Sequence, residues 1–214
     1  VNTSIGILEV PGFTPAMVAL DAMEKAADIH VVQAELNDFL GTVIKIGGSV
    51  DSVSAALDAG KLAATRLGVT PIVAVIPNPE PSAMQVGILS RQERSPLLDQ
   101  NVVLGQPETP ESSATKTRDS AMAETPNFAL GFIETQGFTA VFEAIDTACK
   151  AANVEVLAKE KLGGGYITIV IKGDVAAVNA AIEAGKAKVG SLGKLIAAHV
   201  IARPSTNVLA LLPK

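Results

Sequence analysis

The sequence predicts an α+β protein: two tandem ferredoxin-like domains of order β-α-β-β-α-β, each an antiparallel sheet with its helices on one face. Three observations predict it. Residues 5–79 and 130–204 align without a gap, with about 27 of 75 paired positions identical, which marks an internal duplication. Within each copy the hydrophobic period alternates between that of a strand and that of a helix in the β-α-β-β-α-β order. The 214 residues then suit two small domains rather than one large one.

The elements follow in order. Each copy opens on a short apolar segment, SIGILEV or FALGFIET, that reads as a strand. A helix follows, with Phe13, Ala16, Leu20, Met23 and Ala27 at three- and four-residue steps, matched by Phe138, Val141, Ile145, Ala148 and Ala152. The β-branched stretches IHVVQAE and VEVLAKE read as the second strand. In YITIVIK, Ile167, Ile169 and Ile171 face one way and Tyr166, Thr168, Val170 and Lys172 the other. Ser49 and Asp174 stand where a side-chain oxygen caps the next helix. That helix carries Val175, Val178, Ile182, Gly185, Val189 and Leu192 down one stripe, and its Ala- and Gly-rich face suits close packing. A last strand, TPIVAVIP or LIAAHVIA, closes each copy.

Composition sets limits on function. The chain is 48% hydrophobic with a mean hydropathy of +0.37, yet it has one Tyr, six Phe and no Trp. A domain this small buries only a modest core alone, so surplus apolar surface is expected between copies and between subunits. No apolar run approaches a membrane span, and the first residues lack the basic start of a signal peptide. The single Cys149 excludes an intrachain disulfide and fits a reducing compartment. A net charge of −5 argues against nucleic acid as partner. The copies differ electrostatically: four basic and eight acidic residues in the first, eight and seven in the second.

Between the copies, the first half of 80–129 (MQVGIL, LLDQNVVLG) retains apolar residues and reads as an extension of the first. Residues 105–127, rich in Pro, Ser and Thr, read as a linker. The domain organisation is therefore 1–104, linker 105–127, and 128–214.

ALGFIETQGF, EAIDTACKAANVEV, KEKLGGGYITIVIKGDVAAVNAAIEAG and AAHVIARPSTNVLALLPK together resemble the shell proteins of bacterial microcompartments. The resemblance covers essentially all of the second copy and, more loosely, most of the first. Two fused copies resemble the family's tandem-domain members with unpermuted strand order. The resemblance implies a homotrimer of six domains, a pseudohexameric tile lying with other shell proteins of the same microcompartment in a shell within the cytoplasm. It also implies edge contacts. Lys150 and Lys25 match the edge lysine, and Arg203 matches the edge arginine, where the first copy has Asn78. Read alone, either lysine is an ordinary solvated helix residue.

The third motif implied by the resemblance is a pore, a passage for small metabolites. Gly163, Gly164 and Gly165 fall in the loop that lines it in single-domain relatives, whereas the first copy has Asp38, Phe39 and Leu40. Phe39 would narrow such an opening and Asp38 would disfavour anions. Without the family, three glycines are equally a flexible turn. Some tandem relatives hold an iron–sulfur cluster here through cysteine; Cys149 lies on a helix instead, so no cluster and no other cofactor is expected.

The catalytic inventory is thin. His30 and His199 occupy non-equivalent strand positions with no partner at metal-ligand spacing. GGSVD and IKGDV lack the spacing and lysine of a P-loop, which leaves capping. Glu9 and Glu134 are paired by the repeat and, with no divergence in role, read as hydrogen-bond acceptors for loop amides rather than an acid–base pair. The expectation is a structural protein and not an enzyme. The alternative is a duplicated ferredoxin-like regulatory module binding a small-molecule effector, since fold does not dictate function.

Overall fold

Alternation and helical periodicity place the elements of the first copy as β1 (Ser4–Pro11), α1 (Phe13–Ala26), β2 (His30–Leu36), β3 (Gly41–Gly48), α2 (Val50–Arg66) and β4 (Ile72–Ile76). The second repeats them as β5 (Ala129–Gln136), α3 (Phe138–Ala151), β6 (Glu155–Gly163), β7 (Tyr166–Gly173), α4 (Val175–Val189) and β8 (Lys194–Ile201), then adds the short α5 (Thr206–Ala210). The computed structural model describes residues 4–36, 41–79, 81, 84, 127–190 and 192–213. Nearly all of the expected extension and of the expected 105–127 linker lies outside the described residues, as do Asp38, Phe39 and Leu40.

Two antiparallel four-stranded sheets result, ordered β2-β3-β1-β4 and β6-β7-β5-β8. The α+β fold is therefore as the sequence predicts. Even the irregularity is duplicated: the β2–β3 register skips Val32 and the β6–β7 register skips Leu157. An extra residue at the same place in both copies bends both edge strands alike.

The caps stand where the sequence put them. Ser49 Oγ accepts from Ser52 N at 3.1 Å and opens α2, and Asp174 Oδ1 accepts from Ala177 N at 2.8 Å and opens α4. The second stripe is shorter than expected, because α4 ends at Val189 and Leu192 lies beyond it, exposed.

Ile167, Ile169 and Ile171 face the helices and join the inner core of the second copy with Ile133, Val141, Val178 and Ile182. The opposite face is closed as well. Phe132, Ala158 and Val170 there belong to one apolar cluster with Val208, Leu211 and Leu212 from the C-terminal tail and with Leu8, Phe13, Met17 and Leu20 of the first copy. The surplus apolar residues thus form a core that continues across the boundary between copies.

Close packing against α4 decides one expected result. A methyl group added at Gly185 would sit 2.6 Å from Ile133 Cδ1 and 2.8 Å from the Ala144 carbonyl oxygen, a backbone atom of α3 that cannot yield cheaply. Gly185→Ala is expected to destabilise the chain by about 1–2 kcal/mol in urea denaturation. Overpacking of about 1–3 kcal/mol outweighs the helix propensity gained, about 1 kcal/mol.

Candidate functional site

The motif Glu-x-x-Gly-Phe-Thr occurs twice, at 9–14 and 134–139. In each, the glycine has positive φ (88° at Gly12, 126° at Gly137) and turns the strand into a helix whose first N–H groups receive no side-chain cap from their own turn. The cap on α1 comes from the other copy. Glu134 Oε1 accepts from Phe13 N at 3.1 Å and Oε2 from Thr14 N at 2.8 Å, both bonds buried. A Cβ on Gly12 would lie 3.0 Å from Glu134 Oε1, so glycine also makes room for the incoming carboxylate. Burial pushes the Glu134 carboxyl above its ordinary range, against the pull of the Thr14 and Phe13 amides, which favour the anion. The reading of Glu134 as an acceptor for loop amides is therefore correct, and the amides belong to the opposite copy.

Farther along α1 a second set of polar contacts ties it to the tail of the second copy. Asp21 Oδ1 accepts from Ser205 N at 3.0 Å, and Asp21 Oδ2 holds Lys25 Nζ at 2.5 Å. Lys25 Nζ also donates to the Arg203 carbonyl oxygen at 2.7 Å. Glu24 accepts from the Ser205 hydroxyl and the Asn207 amide. His199, on β8, is partly buried in the same region; burial lowers its pKa and the charge of Asp21 opposes that shift. Asp21, Glu24, Ser205 and Asn207 had no assigned role in the sequence reading. Ser205 and Asn207 have no counterpart of the same type in the first copy, so the repeat gave them no signal.

The expected edge residues separate into two groups. Lys25 and Arg203, from different copies, meet at one site. Lys150 lies in the open, paired with Asp146 Oδ2 at 2.5 Å, and that hydrogen bond and charge raise its pKa. Asn78 is exposed in the turn after β4. Gly163 ends β6 and Gly164 and Gly165 complete an exposed turn, all three at positive φ (94°, 54° and 83°). Gln136 Nε2 donates to the Gly164 carbonyl oxygen at 3.2 Å and Gly137 N to that of Gly165 at 2.9 Å, which anchors this turn to the start of α3.

Two further features differ between the copies. In the first, Lys45 Nζ holds Glu35 Oε1 at 2.7 Å and Gln33 Oε1 at 2.7 Å, all three residues buried. Their counterparts are Val170, Glu160 and Ala158. The second is the outer face of the first helix. Phe13 and Met17 are 4% and 1% exposed, whereas their counterparts Phe138 and Phe142 are 48% and 49% exposed. Among the described residues no three His, Cys, Asp or Glu side chains are grouped to hold a metal ion, and no helix is long and apolar enough to cross a membrane.

A family model described as "BMC domain" matches residues 4–79 and again 129–204, the two sheets with their helices. The chain belongs to the BMC domain family. Its two BMC domains stand in tandem and in unpermuted order. The bacterial microcompartment shell protein PduA of Salmonella typhimurium is 49% identical over 86 residues, 40% of this chain and 92% of that protein. The major carboxysome shell protein CsoS1A of Halothiobacillus neapolitanus is 44% identical over 94 residues, 44% of this chain and 96% of its own. A crystal structure of a microcompartments protein from Desulfitobacterium hafniense aligns over 98% of this chain and 99% of that one, at 25% identity and a TM-score of 0.36. The two BMC domains of this chain are thus alike in fold and unlike in what covers them.

Proposed function

We propose that this chain is a structural shell protein whose copies associate as a homotrimer, a pseudohexameric tile of six BMC domains that packs with other shell proteins in a microcompartment shell in the cytoplasm. The single observation that carries the trimer is the unequal covering of equivalent surfaces. Within one chain, α1 of the first domain lies against β5, β8 and α5 of the second, a contact between unlike surfaces. The matching surfaces at the two ends of the chain are bare. Phe138 and Phe142 on α3 are exposed, and so is Ile72 on β4, at 66%, where its buried counterpart is Ala197. An unlike-surface contact used once leaves one complementary half at each end, and head-to-tail repetition closes a ring when the rotation permits. Bare apolar surface of this kind is what such a ring would bury.

In this ring Lys25–Arg203 edges alternate with edges that carry Lys150 and Asn78, and Gly163–Gly165 turns alternate around the axis with loops bearing Asp38, Phe39 and Leu40. A polar, narrowed passage for small metabolites is the consequence of that lining.

Sedimentation velocity, with electron microscopy of the same sample, tests the reading. The expected species has three times the 21.9 kDa of one chain and forms flat particles that layer into sheets. Lys150→Glu, which leaves the Lys25 contacts untouched, is expected to keep the trimer and lose the layers. A species that stays monomeric across the micromolar range would refute the trimer, and layers unchanged in the variant would refute the edge.

A further inference from the structure

On the ring reading above, we infer that Phe142 of one chain seats on Ile7 and Ala74 of its neighbour, and that an exchange of side-chain size between the copies keeps the two kinds of junction from substituting for each other. The junction within one chain supplies the template. There α1 crosses the outer face of the second sheet in a fixed direction. Its first N–H groups lie on Glu134, and farther along Asp21 accepts from Ser205 N. Phe13, Met17 and Asp21 follow at four-residue steps and share one face of the helix. Met17 therefore stands between the two anchors. Phe132 lies two residues before Glu134 on the same face of β5, opposite His199 of β8, and the Asp21 charge reaches that histidine. Met17 and Phe132 are 1% and 0% exposed and belong to one apolar cluster.

The two bare ends of the chain carry the same surfaces with the sizes reversed. Met17 corresponds to Phe142, and Phe132 to Ile7. Ile7 lies opposite Ala74, as Phe132 lies opposite His199. Phe142 is 49% exposed, Ile7 is half-buried and Ala74 is exposed. Each junction thus holds one phenyl ring and one aliphatic chain. Within a chain the sheet supplies the ring; between chains the helix does. Alanine in place of His199 widens the seat for it.

Exchanged pairings lose this balance. Placing α3 on the second sheet would set Phe142 against Phe132, two rings where one fits. Placing α1 on the first sheet would set Met17 against Ile7 and leave a void. The occupant that fits Ile7 and Ala74 is α3 of a second copy of this chain, since that helix carries the ring that the first sheet lacks.

The test is a cycle of full chains: wild type, Ile7→Phe, Phe142→Met and the double variant. Sedimentation velocity over a concentration series reads association. Thermal denaturation at a dilution where wild type is monomeric reads the fold, and all four proteins should melt alike there. Ile7→Phe is expected to weaken association about tenfold or more by overpacking, and Phe142→Met about tenfold by loss of the ring. The double variant restores one ring and one aliphatic chain, so it should associate within about threefold of wild type. A second cycle, Ile7→Ala with Phe142→Ala, reads the same contact by truncation and introduces no larger side chain. Its double variant should lose less than the two single losses together. Losses that simply add in either cycle would overturn the pairing and leave the ring standing. A wild-type chain that stays monomeric would overturn the ring and the pairing with it.

Discussion

Replacing Glu134 by alanine is expected to cost the chain about 2–5 kcal/mol of unfolding free energy, measured by urea denaturation. The substitution leaves the N–H groups of Phe13 and Thr14 buried without an acceptor, at about 1–3 kcal/mol for each. It also removes the negative charge that complements the start of α1. Glu134→Gln keeps one acceptor but turns an NH2 group toward the second donor, so its loss should be smaller, about 1–3 kcal/mol.

The same pair of proteins reads out the titration. Burial raises the folded carboxyl above its ordinary value of 4.5, so between the two values the folded state binds more protons than the unfolded chain. The contribution of Glu134 therefore grows as pH falls through that window and shrinks as pH rises through it. His199 works in the opposite sense: its pKa is lowered from 6.5, the folded state binds fewer protons, and acidification destabilises. His199 is present in both proteins, so the difference between wild type and Glu134→Gln isolates the carboxyl. That difference should widen on acidification from neutrality toward pH 4.5, and a difference independent of pH would refute the assignment.

The fold was legible because its determinants are local and stated twice. Alternation in YITIVIK, the three- and four-residue steps from Phe138 to Ala152, and the caps at Ser49 and Asp174 each depend on neighbours a few residues away. What failed to show in the sequence depends on distant chain. Thr168 and Val170 alternate correctly with the isoleucines, yet both are buried, because the C-terminal tail and the first copy close over that face. The five residues of α5 are too few to display a helical period.

The site divides along the same line. That Glu134 serves loop amides could be read from an acid placed three residues before a Gly-Phe turn. Which loop Glu134 serves could not, since the choice lies in how the copies dock. The meeting of Lys25 with Arg203 is likewise a property of the docked pair. Neither residue has a sequence neighbour that predicts the other.

The duplication supplies its own control for the second large effect. Phe13 and Phe138 are the same residue in the same motif at the start of equivalent helices, with opposite surroundings. Phe13→Ala is expected to destabilise the monomeric chain by about 3–5 kcal/mol, the cost of a cavity in a core that the second copy helps to close. Phe138→Ala should cost the same monomer less than about 1 kcal/mol. It removes only an exposed stack on Phe142, with ring centroids 6.4 Å apart, and the Lys161 ammonium 5.0 Å above the ring. The larger effect of Phe138→Ala belongs to the assembled state, where its ring would enter the cover that Phe13 already has. The concentration needed for association should then rise about tenfold or more, as for an aromatic anchor at the centre of an interface. Equal costs for the two substitutions in the monomer would contradict the unequal covering on which the ring rests. A Phe138→Ala chain that associates like wild type would show that α3 meets no neighbour through this face.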